Sequence, residues 1–153
     1  MNPPLPPRVR VAAYVVRYGA RGPELLVFDH VGVPEAGTQV PAGGVEGGEE
    51  LSAAVLREVR EETGVEGARV VRALAVDHRP HPETGAPRRT TYFLLHAPRG
   101  GPDQWEHLAP VENLRFRCHW QPLPLTTPLA DHQDAWLAAA EPTWGARVGA
   151  GRS

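Results

Sequence analysis

Glu58, Glu61 and Glu62 stand three and four residues apart inside a segment that reads as a helix, and no other feature constrains the chain as tightly. At helical spacing the three carboxylates crowd onto one face. Glu58 and Glu62 are then like charges one turn apart, a cost of about 0.2–0.5 kcal/mol. With Glu58 set at zero and about 100° per residue, Leu51 falls at about 20°, Val55 at about 60°, Glu62 at about 40° and Glu61 at about −60°. The acid therefore continues the stripe that Leu51 and Val55 begin. Charge turned toward the protein is costly unless it is paired or bound to a metal. The local arginines, Arg57 and Arg60, are expected to point elsewhere, which leaves a divalent cation as the expected partner. A plain solvated acidic helix is the competing reading. Clustered carboxylates with a nearby backbone carbonyl form an oxygen-rich site suited to Mg²⁺ or Mn²⁺. Zn²⁺ fits less well, because no His or Cys accompanies the cluster.

The helix is expected over residues 49–63. Gly47 and Gly48 precede it, Glu49 and Glu50 occupy its first turn, and Gly64 follows as a left-handed cap. Strands are expected at 8–18 and 24–30 as a hairpin, at 38–40, 68–78 and 89–97, and at 113–120, where Leu114, Phe116, Cys118 and Trp120 alternate onto one face. A second helix is expected over 129–140, with Trp136 packed on the sheet. This order gives an α/β fold with a mixed sheet covered by helices. At 153 residues it is one domain, expected at 8–141, with a Pro-rich flexible tail at 1–7 and a flexible C-terminal tail at 142–153.

All sixteen basic residues are Arg, and the chain also lacks Ile. With 17 Pro and 16 Gly, that pattern reflects GC-rich coding and not nucleic-acid binding. The formal charge of −2 likewise speaks against a nucleic-acid coat. Seven Glu and two Arg lie between Glu46 and Glu66, an acidic centre in a mildly basic remainder. No apolar run reaches the roughly 20 residues of a membrane span. The single cysteine, Cys118, is expected in a reducing cytoplasm.

From Gly43 the chain reads Gly, five residues, Glu49, seven residues, then Arg57-Glu58-Val59-Arg60-Glu61-Glu62-Thr63-Gly64-Val65. This resembles the Nudix box, and every defining position over residues 43–65 is filled. The resemblance implies a Nudix fold, an α/β/α sandwich around a mixed β-sheet. It implies hydrolysis of a nucleoside diphosphate derivative, a nucleotide or nucleotide-sugar type substrate, by water attack with Mg²⁺ or Mn²⁺. Carried over by position, Glu58, Glu61 and Glu62 bind metal with a backbone carbonyl from Gly43 or Ala42. Glu49 and Arg57 brace the loop on the helix, meeting only if the loop folds back, and Gly64 closes the helix. The base that takes the water's proton is Glu58 or Glu61 in the box, or a residue after it: Glu106, Glu112 or Glu83, with Glu106 preferred.

The residues themselves suggest further substrate contacts. Arg79, Arg88 and Arg89 flank a Pro-rich loop and could hold phosphates. Trp105, Tyr92, Phe93 and Trp120 could stack a base. Pro80 and Pro82 fall near the position that marks the family's ADP-sugar subgroup. The expected partner is a small molecule, with no stable nucleic acid and no membrane; a homodimer is one assembly considered. The alternative to an enzyme is a Nudix-fold module that senses a nucleotide without cleaving it.

Overall fold

Residues Arg8–Gly19 carry apolar side chains at both odd and even positions, so this strand has to be covered on both faces. In the computed structural model, which describes residues 5–110 and 113–145, it is the central strand β1. Val11, Ala13 and Val15 enter one core, and Ala12, Tyr14 and Val16 enter the other. Strands β2 (Gly22–His30), β3 (Ala42–Gly44), β4 (Arg69–Asp77), β5 (Arg88–His96), β6 (Gln104–Leu108) and β7 (Arg115–Pro122) complete a seven-stranded sheet. Its order is β4-β5-β1-β2-β7-β6, with β3 paired to the first half of β1. The β1–β5 pair is parallel and the other pairs are antiparallel, so the sheet is mixed.

Helix α1 (Leu51–Thr63) covers the odd-numbered face of β1 and buries Ala54, Val55, Glu58, Val59 and Thr63. Each fully buried Val is worth about 1.5–3 kcal/mol. Leu51 is 36% exposed, so the buried stripe begins at Ala54 and not at Leu51 as expected. The helix also starts two residues later than expected: Glu50 is extended, and Glu49 lies before the first turn. Gly64 is left-handed at φ 76°, and its N–H donates to the Arg60 carbonyl at 2.8 Å, as a C-terminal cap does.

The opposite face is covered by the segment Ala130–Trp136 and the short helix α2 (Leu137–Ala140). The continuous helix expected over 129–140 is broken because Asp131 and His132 both take φ 53°. Trp136 packs against this core and donates its indole N–H to Asp77 at 2.8 Å. The folded chain also runs past the expected boundary at 141, since Pro142–Gly145 forms a turn that buries Trp144. Residues 1–4 and 146–153 of the two expected tails lie outside the described residues. The strand expected at 38–40 reduces to one bridge, Gln39 to Phe28, and the pairing passes to Ala42–Gly44, expected as a loop. Strand β6 was not expected at all. No helix among the described residues is long and apolar enough to cross a membrane.

Candidate active site

Strand β3 has almost no side chains, and that is what lets α1 approach it. A Cβ at Gly43 would overlap the Glu58 carboxyl group. The loop after β3 folds back so that Glu49 meets Arg57 across one face of α1. Arg57 Nε donates to Glu49 Oε2 at 2.8 Å and Nη2 donates to Glu49 Oε1 at 2.9 Å, a bidentate pair. Nη2 also donates to the Gly44 carbonyl at 2.8 Å. This guanidinium holds the Glu49 carboxyl down to about 2.

Arg57 does not point away from the cluster, as helical phase alone suggested. Its long side chain curls back, and Nη1 donates to Glu58 Oε1 at 2.8 Å and to Glu61 Oε2 at 3.2 Å. Glu62 is held differently: its Oε1 accepts the Ala42 N–H at 2.7 Å. Burial first, then the charge of Glu58, pushes the Glu62 carboxyl up to about 8. Burial also raises Glu58, against the opposing pull of Arg57. Glu58 is 8% exposed. One guanidinium thus serves three carboxylates, Glu49, Glu58 and Glu61, and does not reach Glu62.

These residues line a cavity of about 400 Å³ together with Arg8, Gly43 and Gly44. Among the described residues, no three Asp, Glu, His or Cys side chains are already drawn together around one point. Arg57 draws Glu58 and Glu61 while the β3 backbone draws Glu62. The donor set still fits a hard divalent cation: all oxygen, with Glu58 and Glu62 both raised by loss of water, beside a backbone bare of side chains.

Other expected residues fall away from this cavity. Glu106 lies on β6, where Trp105 and His107 turn toward α1: the Trp105 indole donates to the Thr63 carbonyl at 2.7 Å, and His107 Nε2 sits 3.0 Å from the Glu61 carbonyl. Alternation puts Glu106 on the other face, paired with Arg115 at 3.3 Å and away from the carboxylate cavity. Glu83 is exposed on the β4–β5 connection, and Glu112 lies outside the described residues. Tyr92 is 4% exposed in the core opposite α1, so it cannot stack a base at this cavity. Trp105 caps the end of α1 with its N–H, a structural duty. Phe93 and Trp120 are buried in the core under α1. Arg79 is exposed beyond β4; its carbonyl accepts from Arg88 Nε at 3.2 Å. Arg89 is exposed and shares the α1 face of β5 with Phe93 and Leu95. The sequence reading passed over Arg8 and Arg10. Their spacing of two along β1, beside the bare β3, is the signal that marks them.

A family model described as NUDIX domain matches residues 8–140. The chain belongs to the Nudix family, and by class it is a pyrophosphohydrolase of the kind that generally uses divalent metal ions. No curated protein matches it as a sequence relative. Among solved structures, it is similar to a MutT NUDIX hydrolase from Burkholderia pseudomallei, at 28% identity and TM-score 0.61, covering 90% of this chain and 98% of that one. A NUDIX hydrolase from Nitrosomonas europaea aligns at 24% identity and TM-score 0.57, over 76% of this chain and 72% of that one. The Ap4A hydrolase of C. elegans aligns at 19% identity and TM-score 0.53, over 76% and 80%. The last two likenesses speak to the fold alone.

Proposed function

We propose that this chain hydrolyses the diphosphate linkage of a nucleoside diphosphate derivative, with Mg²⁺ or Mn²⁺ held by Glu58, Glu61 and Glu62 and the Gly43 carbonyl. One observation carries the reading: the buried Glu58 and the half-buried Glu62 face the bare strand β3, and Glu62 is held by the Ala42 N–H with no cation paired to it among the described residues. When bound, the divalent ion supplies charge neutralisation at the phosphate oxygens. Arg57 positions the site, fixing the loop through Glu49 and β3 through the Gly44 carbonyl. Glu61 takes the proton of the attacking water. It lines the cavity and, with its side chain 32% exposed against 10% for Glu58, is open to water. Cys118, the lone cysteine and buried, fits a reducing cytoplasm. With Glu58, Glu61 and Glu62 all in place, nothing favours a sensor that binds without cleaving.

Phosphate release from a nucleotide panel, coupled to alkaline phosphatase and run with and without Mg²⁺, tests the reading. Metal-dependent release from at least one nucleoside diphosphate derivative is expected. Binding of such compounds without release, with metal present, would overturn it.

A further inference from the structure

On the other side of the β3 glycines lies a second cavity, of about 610 Å³, into which Arg8, Arg10 and Arg88 converge. It shares Arg8, Gly43 and Gly44 with the carboxylate cavity. The convergence follows from register: Arg8 and Arg10 lie on the same face of β1, Arg8 pairs with Arg88 across the parallel β1–β5 ladder, and Arg10 pairs with Gly44. A Cβ at Gly44 would come within 2.5 Å of Arg8 Nη2, so the glycine makes room for that guanidinium.

The three arginines are not equivalent. Arg88 is fully engaged: it pairs with both oxygens of Asp131 at 2.9 and 3.0 Å, and donates to the carbonyls of Arg79 and Pro80 at 3.2 and 3.0 Å. The left-handed backbone at Asp131, unusual for a residue other than Gly, belongs to the segment that brings its carboxylate to Arg88. The Arg8 and Arg10 guanidinium groups have no hydrogen-bond or ion-pair partner among the described residues, although the Arg8 backbone N–H donates to the Pro87 carbonyl at 3.0 Å. Burial and the neighbouring Arg88 both press on the Arg10 cation and lower its pKa. The acids Glu35 and Glu83, also on this cavity, are exposed. Two unpaired guanidinium groups beside a saturated ion pair form a site lacking its anion, and Arg matches phosphate oxygens in bidentate geometry. The field of Arg10 reaches Glu58 and Glu62 and favours their charged forms, which ties the two cavities together.

We propose that Arg8 and Arg10 form an anion subsite that holds a phosphoryl group of the substrate beyond the linkage that is cut. The inference rests on the hydrolase reading above, and it sets specificity: substrates with a further phosphoryl group bind better than diphosphates with an uncharged substituent. Arg88 with Asp131 frames the subsite and does not itself bind.

Calorimetric titration of the full chain with inorganic tripolyphosphate, in EDTA and without metal, reads the subsite apart from hydrolysis. Binding is expected. It weakens about tenfold or more in Arg10→Met and in Arg8→Met, and Arg10→Lys restores part of it. Arg99→Met, an exposed site outside this cavity, leaves it unchanged. No binding in the wild type, or no loss in both Met variants with their thermal unfolding intact, overturns the proposal even if hydrolysis is confirmed. Steady-state kinetics then compare a dinucleoside tetraphosphate, a nucleoside diphosphate sugar, and a diphosphate whose far end is a phosphomonoester. In Arg10→Met, KM is expected to rise about tenfold more for one or both phosphoryl-extended substrates than for the sugar. Which one responds says whether the group belongs to the chain or to the far end. An equal rise for all three would place Arg10 at the cut linkage and contradict the proposal.

Discussion

Arg57 grips Glu49 with two parallel hydrogen bonds of 2.8 and 2.9 Å, and the same guanidinium reaches Glu58 at 2.8 Å. One side chain thereby couples the loop after β3 to the carboxylates of α1. Loop position and carboxylate position cannot be set independently.

Glu49 is the acid-sensitive part of this arrangement. The unfolded chain takes up a proton at about 4.5, whereas the folded carboxyl resists it down to about 2. Its contribution to stability is present above pH 4.5 and is lost as pH falls toward 2. Glu49→Gln should therefore flatten the acid limb of stability against pH, measured by urea unfolding at a series of pH values. An unchanged limb would refute the pairing.

Glu62 has the opposite sign. Its folded pKa of about 8 exceeds the ordinary 4.5, so the metal-free fold is penalised as pH rises between those values. Glu62→Gln keeps an oxygen for the Ala42 N–H and loses the buried charge. In EDTA the variant should be at least as stable as the wild type at pH 8, with an advantage that shrinks toward pH 5. Its turnover should fall by orders of magnitude. A large drop in Tm would show that Glu62 serves the fold instead.

Gly43→Ala places a methyl group on the Glu58 carboxyl. The expected cost is about 1–3 kcal/mol in stability, together with weakened divalent-ion affinity. Thermal unfolding and ion titration of the same variant check both.

Glu106→Gln should leave kcat within about twofold of wild type, since the side chain faces away from α1 and meets only Arg115. Glu61→Gln should lower kcat by about 10²-fold or more in the same assay. A collapse of kcat in Glu106→Gln would return the base to β6.

Much of this was legible in the residues. The two-sided apolar pattern of β1, the alternation of β7, the Gly64 cap and the acid stripe of α1 all follow from side-chain period. Four features did not. Strand β3 is Ala-Gly-Gly and carries no alternation to read. In β6 the inward residues are Trp105 and His107, whose polar atoms serve the end of α1, so its pattern does not look like a buried face. Helical phase located the Cβ of Arg57 but not the reach of its guanidinium. The break at Asp131 and His132 depends on tertiary contacts, including the pair with Arg88, 43 residues away. Glu106 and Tyr92 lie apart from the carboxylate cavity because of the face of the sheet they occupy, and their place along the chain says nothing about that face.

The central claim is that Glu58, Glu61 and Glu62 jointly hold a divalent ion beside Gly43. Titration of Mn²⁺ followed by electron paramagnetic resonance reads it directly, on the wild type and on Glu58→Gln and Glu62→Gln. Saturable binding in the wild type, weakened at least about tenfold in each variant, is the predicted result. Equal Mn²⁺ affinity in all three proteins would contradict it.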